Sequence, residues 1–312
     1  MKPQLKKMTI TVVGFVLCQL FLTACTSNTV DKLGADDGQN VVQSLLKGTS
    51  LNISSVDDGL LKGTAAIQEG KMDLAQLYYI KAYDLEPDNI QVLQKMTDLY
   101  MQLEKYTLAE ESLKMMLKVE PTNLIALNDY GLLLLKEKKY PEAKLILERV
   151  IVKKAEWKAY NGLGIIANLQ GDMKQAEFLF KKADSIFPNS PEILNNVGFS
   201  LFSLGELNEA LLYYNKALQI NPDFKKALYN YALLEARLNN YDDAYNAFVK
   251  ASTAAEANNN LGYITMMKGD YVRANNYLQT AIKLSPQFYK KANDNLNQLE
   301  RLENGSDDVS NF

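Results

Sequence analysis

Apolar and small residues recur at spacings of three and four along most of this chain, which is the period of a helix with one buried face. In residues 157–188 this stripe runs through Tyr160 and Ala167, breaks at Gly171 and resumes from Ala176. A glycine that interrupts such a stripe marks a turn. The pattern therefore predicts two short helices joined by a turn, and neither helix can bury its apolar face alone.

The same pair of helices recurs at a regular interval. Pro87 and Pro121 are 34 residues apart, as are Pro188 and Pro222, and proline cannot continue a helix. In this register the first helix of each pair is predicted to begin at Val56, Ile90, Leu124, Trp157, Pro191, Lys225 and Ala255. An alanine holds the same place in every second helix, at Ala75, Ala109, Ala143, Ala176, Ala210, Ala244 and Ala274.

This helix–turn–helix period, with its fixed small and aromatic positions, resembles the tetratricopeptide repeat (TPR). The resemblance implies an all-α fold, a right-handed TPR superhelix of about seven helix-turn-helix repeats. The array is assigned to residues 56–287 and a C-terminal capping helix to residues 288–302, since such arrays need a polar end. Residues 303–312 are expected to form a disordered tail.

Two further positions of the repeat can be read in the same register. The small residue of the first helix is Gly63, Thr97, Gly131, Gly164, Gly198, Ala232 and Gly262. The turn between the two helices is expected at Gly70, Glu104, Lys138, Gly171, Gly205, Asn239 and Gly269. Glu104 and Lys138 are departures from the glycine or asparagine that such a turn favours.

Composition limits the chemistry available to the chain. It contains no histidine, and both of its cysteines, Cys18 and Cys25, lie near the N-terminus. Histidine is the commonest general base and metal ligand, so we predict no enzyme activity, no metal, no cofactor and no small-molecule substrate. The net charge of −3 gives no basic patch of the kind that nucleic acids require.

The N-terminus has the pattern of an export signal. Three lysines within residues 1–7 precede an almost unbroken apolar run over residues 8–22, which is too short to span a membrane comfortably. The run ends in Leu22-Thr23-Ala24-Cys25, which resembles the lipobox of bacterial lipoproteins. An ordinary secretory signal that happens to contain a cysteine is the alternative.

The lipobox resemblance implies the location of the protein. Residues 1–24 would be a lipoprotein signal peptide, Cys25 would carry the lipid, and residues 25–55 would be a flexible tether. Thr26 stands where an aspartate would favour retention in the inner membrane. The expected location is therefore the periplasmic face of the outer membrane of a Gram-negative bacterium, with the chain lipid-anchored there.

Asparagine recurs in the first helices, outside the consensus positions. The asparagines are Asn128, Asn161, Asn195, Asn196, Asn230, Asn259 and Asn260, and the apolar residues close to them include Phe199, Leu233 and Tyr263. They resemble the asparagine ladders of peptide-binding TPR proteins, which implies a groove that binds protein partners. An amide both donates and accepts, which suits the backbone of an extended peptide. Alternatively, these amides bond to neighbouring helices or to solvent.

A lipobox followed by a TPR array resembles several families of envelope lipoproteins. Segments 157–165 and 194–201 are most similar to the TadD-like lipoproteins of tight-adherence (Flp-type) pilus systems. This resemblance implies a role in assembling a pilus, with pilus or secretin components as partners. The alternative is an envelope adaptor that recruits peptidoglycan hydrolases or proteases.

Overall fold

The computed structural model describes residues 51–285 and 289–304, which form fifteen α-helices and no strand. The helices are α1 (Val56–Gln68), α2 (Met72–Leu85), α3 (Ile90–Gln102), α4 (Tyr106–Val119), α5 (Leu124–Lys136), α6 (Tyr140–Lys153), α7 (Trp157–Leu169), α8 (Met173–Ile186), α9 (Pro191–Leu204), α10 (Leu207–Ile220), α11 (Lys225–Arg237), α12 (Tyr241–Ala251), α13 (Ala254–Met267), α14 (Tyr271–Leu284) and α15 (Lys290–Glu303). The predicted all-α fold is confirmed. The predicted signal peptide, Cys25, most of the tether and most of the C-terminal tail lie outside the described residues.

The chain divides into two compact units, with the break between Leu163 and Gly164 inside α7. The N-terminal unit contains α1 to α6, and the C-terminal unit contains α8 to α15. In both units each odd-numbered helix packs against the even-numbered helix that follows it. Each unit is thus a row of the helix pairs that the sequence predicts.

Six of the seven first helices begin at the predicted residue, and the seventh begins one residue early, at Ala254 instead of Ala255. The shift has a local cause, because Thr253 caps this helix by accepting the backbone N–H of Glu256 at 3.2 Å. The last helix spans Lys290–Glu303, close to the capping helix expected over residues 288–302.

The small position of each first helix allows the second helix to approach its backbone. In the N-terminal unit, a methyl group added to Gly63 would overlap the ring of Tyr79. In the C-terminal unit, the same addition to Gly198 would lie 2.7 Å from the ring of Tyr214. The seven in-register alanines of the second helices are all fully buried, so a larger residue there would overpack the contact.

All seven predicted turn positions have a positive φ, including the two that are neither glycine nor asparagine. Glu104 has φ 57° and Lys138 has φ 62°. Directly after Lys138 in the chain, the N–H of Lys139 donates to the carbonyl of Leu134 at 2.9 Å, and this bond caps the C-terminus of α5. The repeat geometry therefore imposes a left-handed residue on the turn even where the side chain disfavours it.

Candidate partner-binding face

The predicted groove residues lie on the first helices, which are odd-numbered. In the N-terminal unit, Asn128 lies on α5 and is buried, and Asn161 lies on α7 and is half-buried. In the C-terminal unit, the residues are Asn195, Asn196 and Phe199 on α9, Asn230 and Leu233 on α11, and Asn259, Asn260 and Tyr263 on α13. We refer to these positions together as the first-helix face.

Within the C-terminal unit the face has a buried layer and a half-buried layer. The buried layer is Asn195, Asn230, Leu233 and Asn259, and the half-buried layer is Asn196, Phe199, Asn260 and Tyr263. Each half-buried asparagine precedes a half-buried aromatic residue by three positions, so the two side chains share one side of their helix. This amide–aromatic pair recurs on α9 and on α13.

The buried asparagines connect neighbouring odd-numbered helices. The amide nitrogen of Asn230 on α11 donates to the side-chain oxygen of Asn195 on α9 at 2.9 Å. Asn295 on α15 makes the same bond to Asn259 on α13, also at 2.9 Å. This is the helix-to-helix bonding that the sequence leaves open as the alternative. Whether any of the asparagines contacts a partner stays a prediction.

A related pair joins first helices in the N-terminal unit. Gln94 on α3 donates its amide to a carboxylate oxygen of Asp129 on α5 at 3.3 Å. Gln94 and Asp129 are 35 residues apart, as are Asn195 and Asn230. Sequence reasoning missed Gln94 and Asp129 because it searched for one residue type, although the shared spacing was visible in the sequence.

Tyrosine hydroxyls near α13 remain protonated at neutral pH. Burial raises the pKa of Tyr263, and burial together with the charge of Glu256 and the neighbouring Tyr229 raises the pKa of Tyr289 to about 12. These phenols are therefore available as hydrogen-bond donors and acceptors. The described residues contain neither histidine nor cysteine.

Lys268 is a structural residue that the periodic pattern did not reveal. Its ammonium group, at the end of α13, donates to the carbonyl of Ala236 at 2.7 Å, to the carbonyl of Arg237 at 3.1 Å and to the side chain of Asn239 at 2.8 Å. Those carbonyls belong to the last turn of α11, where a cation is favourable. Lys268 therefore fastens the seventh repeat to the sixth.

Two shallow depressions lie on other surfaces of the described residues. One, of about 300 Å³, lies beside α5 and α6 and includes Leu145 and Val152, and the other, of about 440 Å³, lies on α8 beside Phe178. Neither contains a residue of the first-helix face. Among the described helices, none combines the length and the apolar character needed to span a bilayer.

Comparison with known families agrees with this geometry. Models of the family described as "Tetratricopeptide repeat" match residues 60–89, 158–190, 191–224 and 255–288. These matches coincide with the first, fourth, fifth and seventh predicted repeats. Four of the predicted repeats therefore match the tetratricopeptide repeat family, and the fold agrees with a TPR superhelix.

The chain is also similar to curated proteins over part of their length. The chain is 24% identical to a TPR repeat-containing protein of Methanocaldococcus jannaschii, over 84% of this chain and 48% of that protein. It is 29% identical to the peroxisomal targeting signal receptor of Kluyveromyces lactis, over 38% of this chain and 20% of that receptor. The chain thus spans half or less of the length of these two relatives.

Two solved structures are also similar. One is PilF of Pseudomonas aeruginosa, with a TM-score of 0.55 at 21% identity over 62% of this chain and 88% of that chain. The other is PilW, described as a widely conserved type IV pilus biogenesis factor, with a TM-score of 0.57 at 18% identity over 63% of this chain and 91% of that chain. At these identities the likeness concerns the fold alone.

Proposed function

We propose that this protein is a non-enzymatic scaffold whose first-helix face holds an extended segment of a protein partner. The observation that carries the proposal is the repeated amide–aromatic pair, Asn196 with Phe199 on α9 and Asn260 with Tyr263 on α13. The amides can bond to a peptide backbone, and the aromatic rings can receive its alternate side chains. The buried asparagines beneath them keep consecutive helices in register.

We further propose that the scaffold acts in the assembly of a tight-adherence or type IV-like pilus and its secretin. In this proposal the protein is anchored by a lipid on Cys25 to the periplasmic face of the outer membrane. Support comes from the lipobox over residues 22–25, from the similarity of segments 157–165 and 194–201 to TadD-like lipoproteins, and from the shared fold with a pilus biogenesis factor.

The anchor is tested separately from the groove. Cys25→Ser should abolish incorporation of labelled fatty acid and release the protein from the membrane fraction, while the helical content stays unchanged. Labelling of the serine variant at the wild-type level would refute the lipobox.

The groove is tested in cells that lack the native gene and carry Asn260→Ala, with Asn215→Ala as the matched control. Asn215 lies exposed on the second helix α10, away from the first-helix face. Secretin multimers and surface pili should be reduced by Asn260→Ala and unaffected by Asn215→Ala.

Normal piliation of the gene deletion would refute the pilus role. If the deletion instead mislocalised a peptidoglycan hydrolase or a protease, the adaptor function would replace it.

A further inference from the structure

Helices α3 and α5 of the N-terminal unit bring four oxygen-bearing side chains together. The amide nitrogen of Gln94 donates to a carboxylate oxygen of Asp98 at 2.9 Å and to one of Asp129 at 3.3 Å. The amide nitrogen of Asn128 donates to the other carboxylate oxygen of Asp129 at 3.3 Å. We name Gln94, Asp98, Asn128 and Asp129 the α3–α5 acceptor cluster.

The amide nitrogens of the cluster both donate to carboxylates, so only the amide carbonyl oxygens still lack a hydrogen-bond partner. The side-chain oxygens of Gln94 and Asn128 are buried and meet no hydrogen-bond donor within the described part of the chain. Asn128 is only 6% exposed. Its unpartnered oxygen shares a carbon with the nitrogen that contacts Asp129, so it lies at the cluster. Buried acceptors without donors are rare in native proteins, and each calls for an explanation.

The carboxylates of the cluster also lack a cation in contact. None of the ion pairs formed between described residues includes Asp98 or Asp129. Burial raises the pKa of Asp129, and the charge of Asp98 raises it further. The amides of Gln94 and Asn128 and the more distant charge of Lys158 lower this pKa, but they do not offset the effect of burial. The ammonium of Lys158 lies over the ring of Trp157, 5.7 Å from its centre. A donor-rich cation placed at the cluster would therefore stabilise the ionised form of Asp129.

We propose that the α3–α5 acceptor cluster binds the guanidinium group of an arginine on a partner segment. A guanidinium carries five N–H donors in one plane and no acceptor, which complements two carboxylates and two amide carbonyls. A ligand with a single donor would leave most acceptors of the cluster unpaired, whereas a guanidinium can donate to several of them at once. This inference rests on the proposed partner-binding role of the first-helix face and names the chemistry recognised at its N-terminal part.

The test uses the purified full-length chain and a short blocked peptide with one central arginine between serines and alanines. A second peptide replaces the arginine with citrulline, which has nearly the same shape but no charge. Binding is followed by calorimetry and by backbone amide chemical shifts of the isotope-labelled protein. The arginine peptide should shift the signals of Asn128 and Asp129, and the citrulline peptide should bind at least about tenfold more weakly, since hydrogen bonds to charged groups are the stronger ones.

Variants locate the binding site. Asp129→Asn keeps the size of the side chain and removes its charge, and it should weaken the arginine peptide by about tenfold or more. Asp98→Asn should also weaken binding of the arginine peptide. Circular dichroism checks that both variants fold. Asp88→Asn is the matched control, because Asp88 is exposed in the connection between α2 and α3. The affinity of this variant for the arginine peptide should equal that of the wild type.

The proposal is overturned if arginine and citrulline peptides bind equally, if folded Asp129→Asn binds like the wild type, or if neither peptide binds. Titration with calcium chloride and with magnesium chloride distinguishes a metal ion from an arginine as the ligand of the cluster. Chemical-shift changes at the cluster with either salt, and none with the arginine peptide, would show that the cluster is a metal-ion site. These outcomes leave the pilus proposal intact, because that proposal is tested separately by Asn260→Ala in cells.

Discussion

Replacing Tyr214 with phenylalanine is expected to stabilise the C-terminal unit. Tyr214 lies on α10, is fully buried, and packs on Gly198 of α9. Its hydroxyl is buried with no hydrogen-bond partner among the described residues. The fourth and sixth repeats hold Phe180 and Phe248 at the same place, so the packing tolerates a ring without a hydroxyl.

The N-terminal unit provides a matched control at the equivalent position. Tyr79 on α2 is also fully buried, but its hydroxyl lies 3.3 Å from the hydroxyl of Thr64. Thr64 directly follows the small residue Gly63, and in the fifth repeat the residue in that place is Phe199, which carries no hydroxyl. Tyr79→Phe therefore removes a hydrogen bond, and Tyr214→Phe removes an unpaired group.

The two variants should differ in sign. A buried polar group without a partner costs about 1–3 kcal/mol, and a typical hydrogen bond contributes about 0.5–1.5 kcal/mol. Some of the gain at Tyr214 is offset by the small cavity left behind, so we expect Tyr214→Phe to raise the free energy of unfolding by about 1 kcal/mol. Tyr79→Phe should lower it by about 0.5–1.5 kcal/mol.

Urea unfolding followed by circular dichroism gives the two free energies. Because repeats can unfold separately, hydrogen exchange of peptides from α2 and α10 assigns each effect to its own unit. If Tyr214→Phe destabilises the protein as much as Tyr79→Phe does, the hydroxyl of Tyr214 has a partner and the reasoning is wrong.

Three other predictions follow from the turns and from the contacts between repeats. Lys138→Gly should stabilise the protein by about 0.5–1 kcal/mol, because the left-handed turn penalises a side chain more than glycine costs in chain entropy. Lys136→Gly, at the last residue of α5, is the control and should destabilise the protein, since the backbone there is helical. Equal thermal shifts for the two variants would contradict this. Asn230→Ala should lower the free energy of unfolding by about 1–3 kcal/mol, because it leaves the buried oxygen of Asn195 unpaired; an unchanged urea midpoint would show that the bond contributes nothing. Lys268→Met should speed hydrogen exchange in the last turn of α11, because its carbonyls lose a charged donor; unchanged exchange there would refute the fastening role.

The repeat frame could be predicted almost completely from the sequence, and the reason lies in the contact between the two helices of a repeat. Ala176 and Ala210 are fully buried against a first helix, so a larger residue at either place would displace the pair. Once these alanines fix the register, the turn must fall where it does, even on Glu104 and Lys138. Helix α13 begins one residue earlier than the repeat period predicts, because the hydroxyl of Thr253 caps the helix at that point.

The candidate site was less predictable because an amide inside a helix can face a neighbour, a ligand or solvent. The periodic pattern placed Asn195 and Asn230 on the first helices, but it could not show that each is the other's partner. That bond depends on the angle between neighbouring first helices. A search for polar residues 35 positions apart, of any type, would have found this pair together with Gln94 and Asp129.

The buried pairs and the half-buried face belong to the same helices, and this couples stability to recognition. An amide pair between first helices holds them at one separation, since slipping either helix would leave two buried polar groups unpaired. The separation of α9 and α11 is part of the distance between the amide–aromatic pair on α9 and the next one on α13. A variant of Asn230 would therefore weaken partner binding indirectly, by loosening the spacing, and a variant of Asn260 would weaken it without loss of stability. Measuring both stability and binding for the two variants distinguishes residues that build the face from residues that touch the partner.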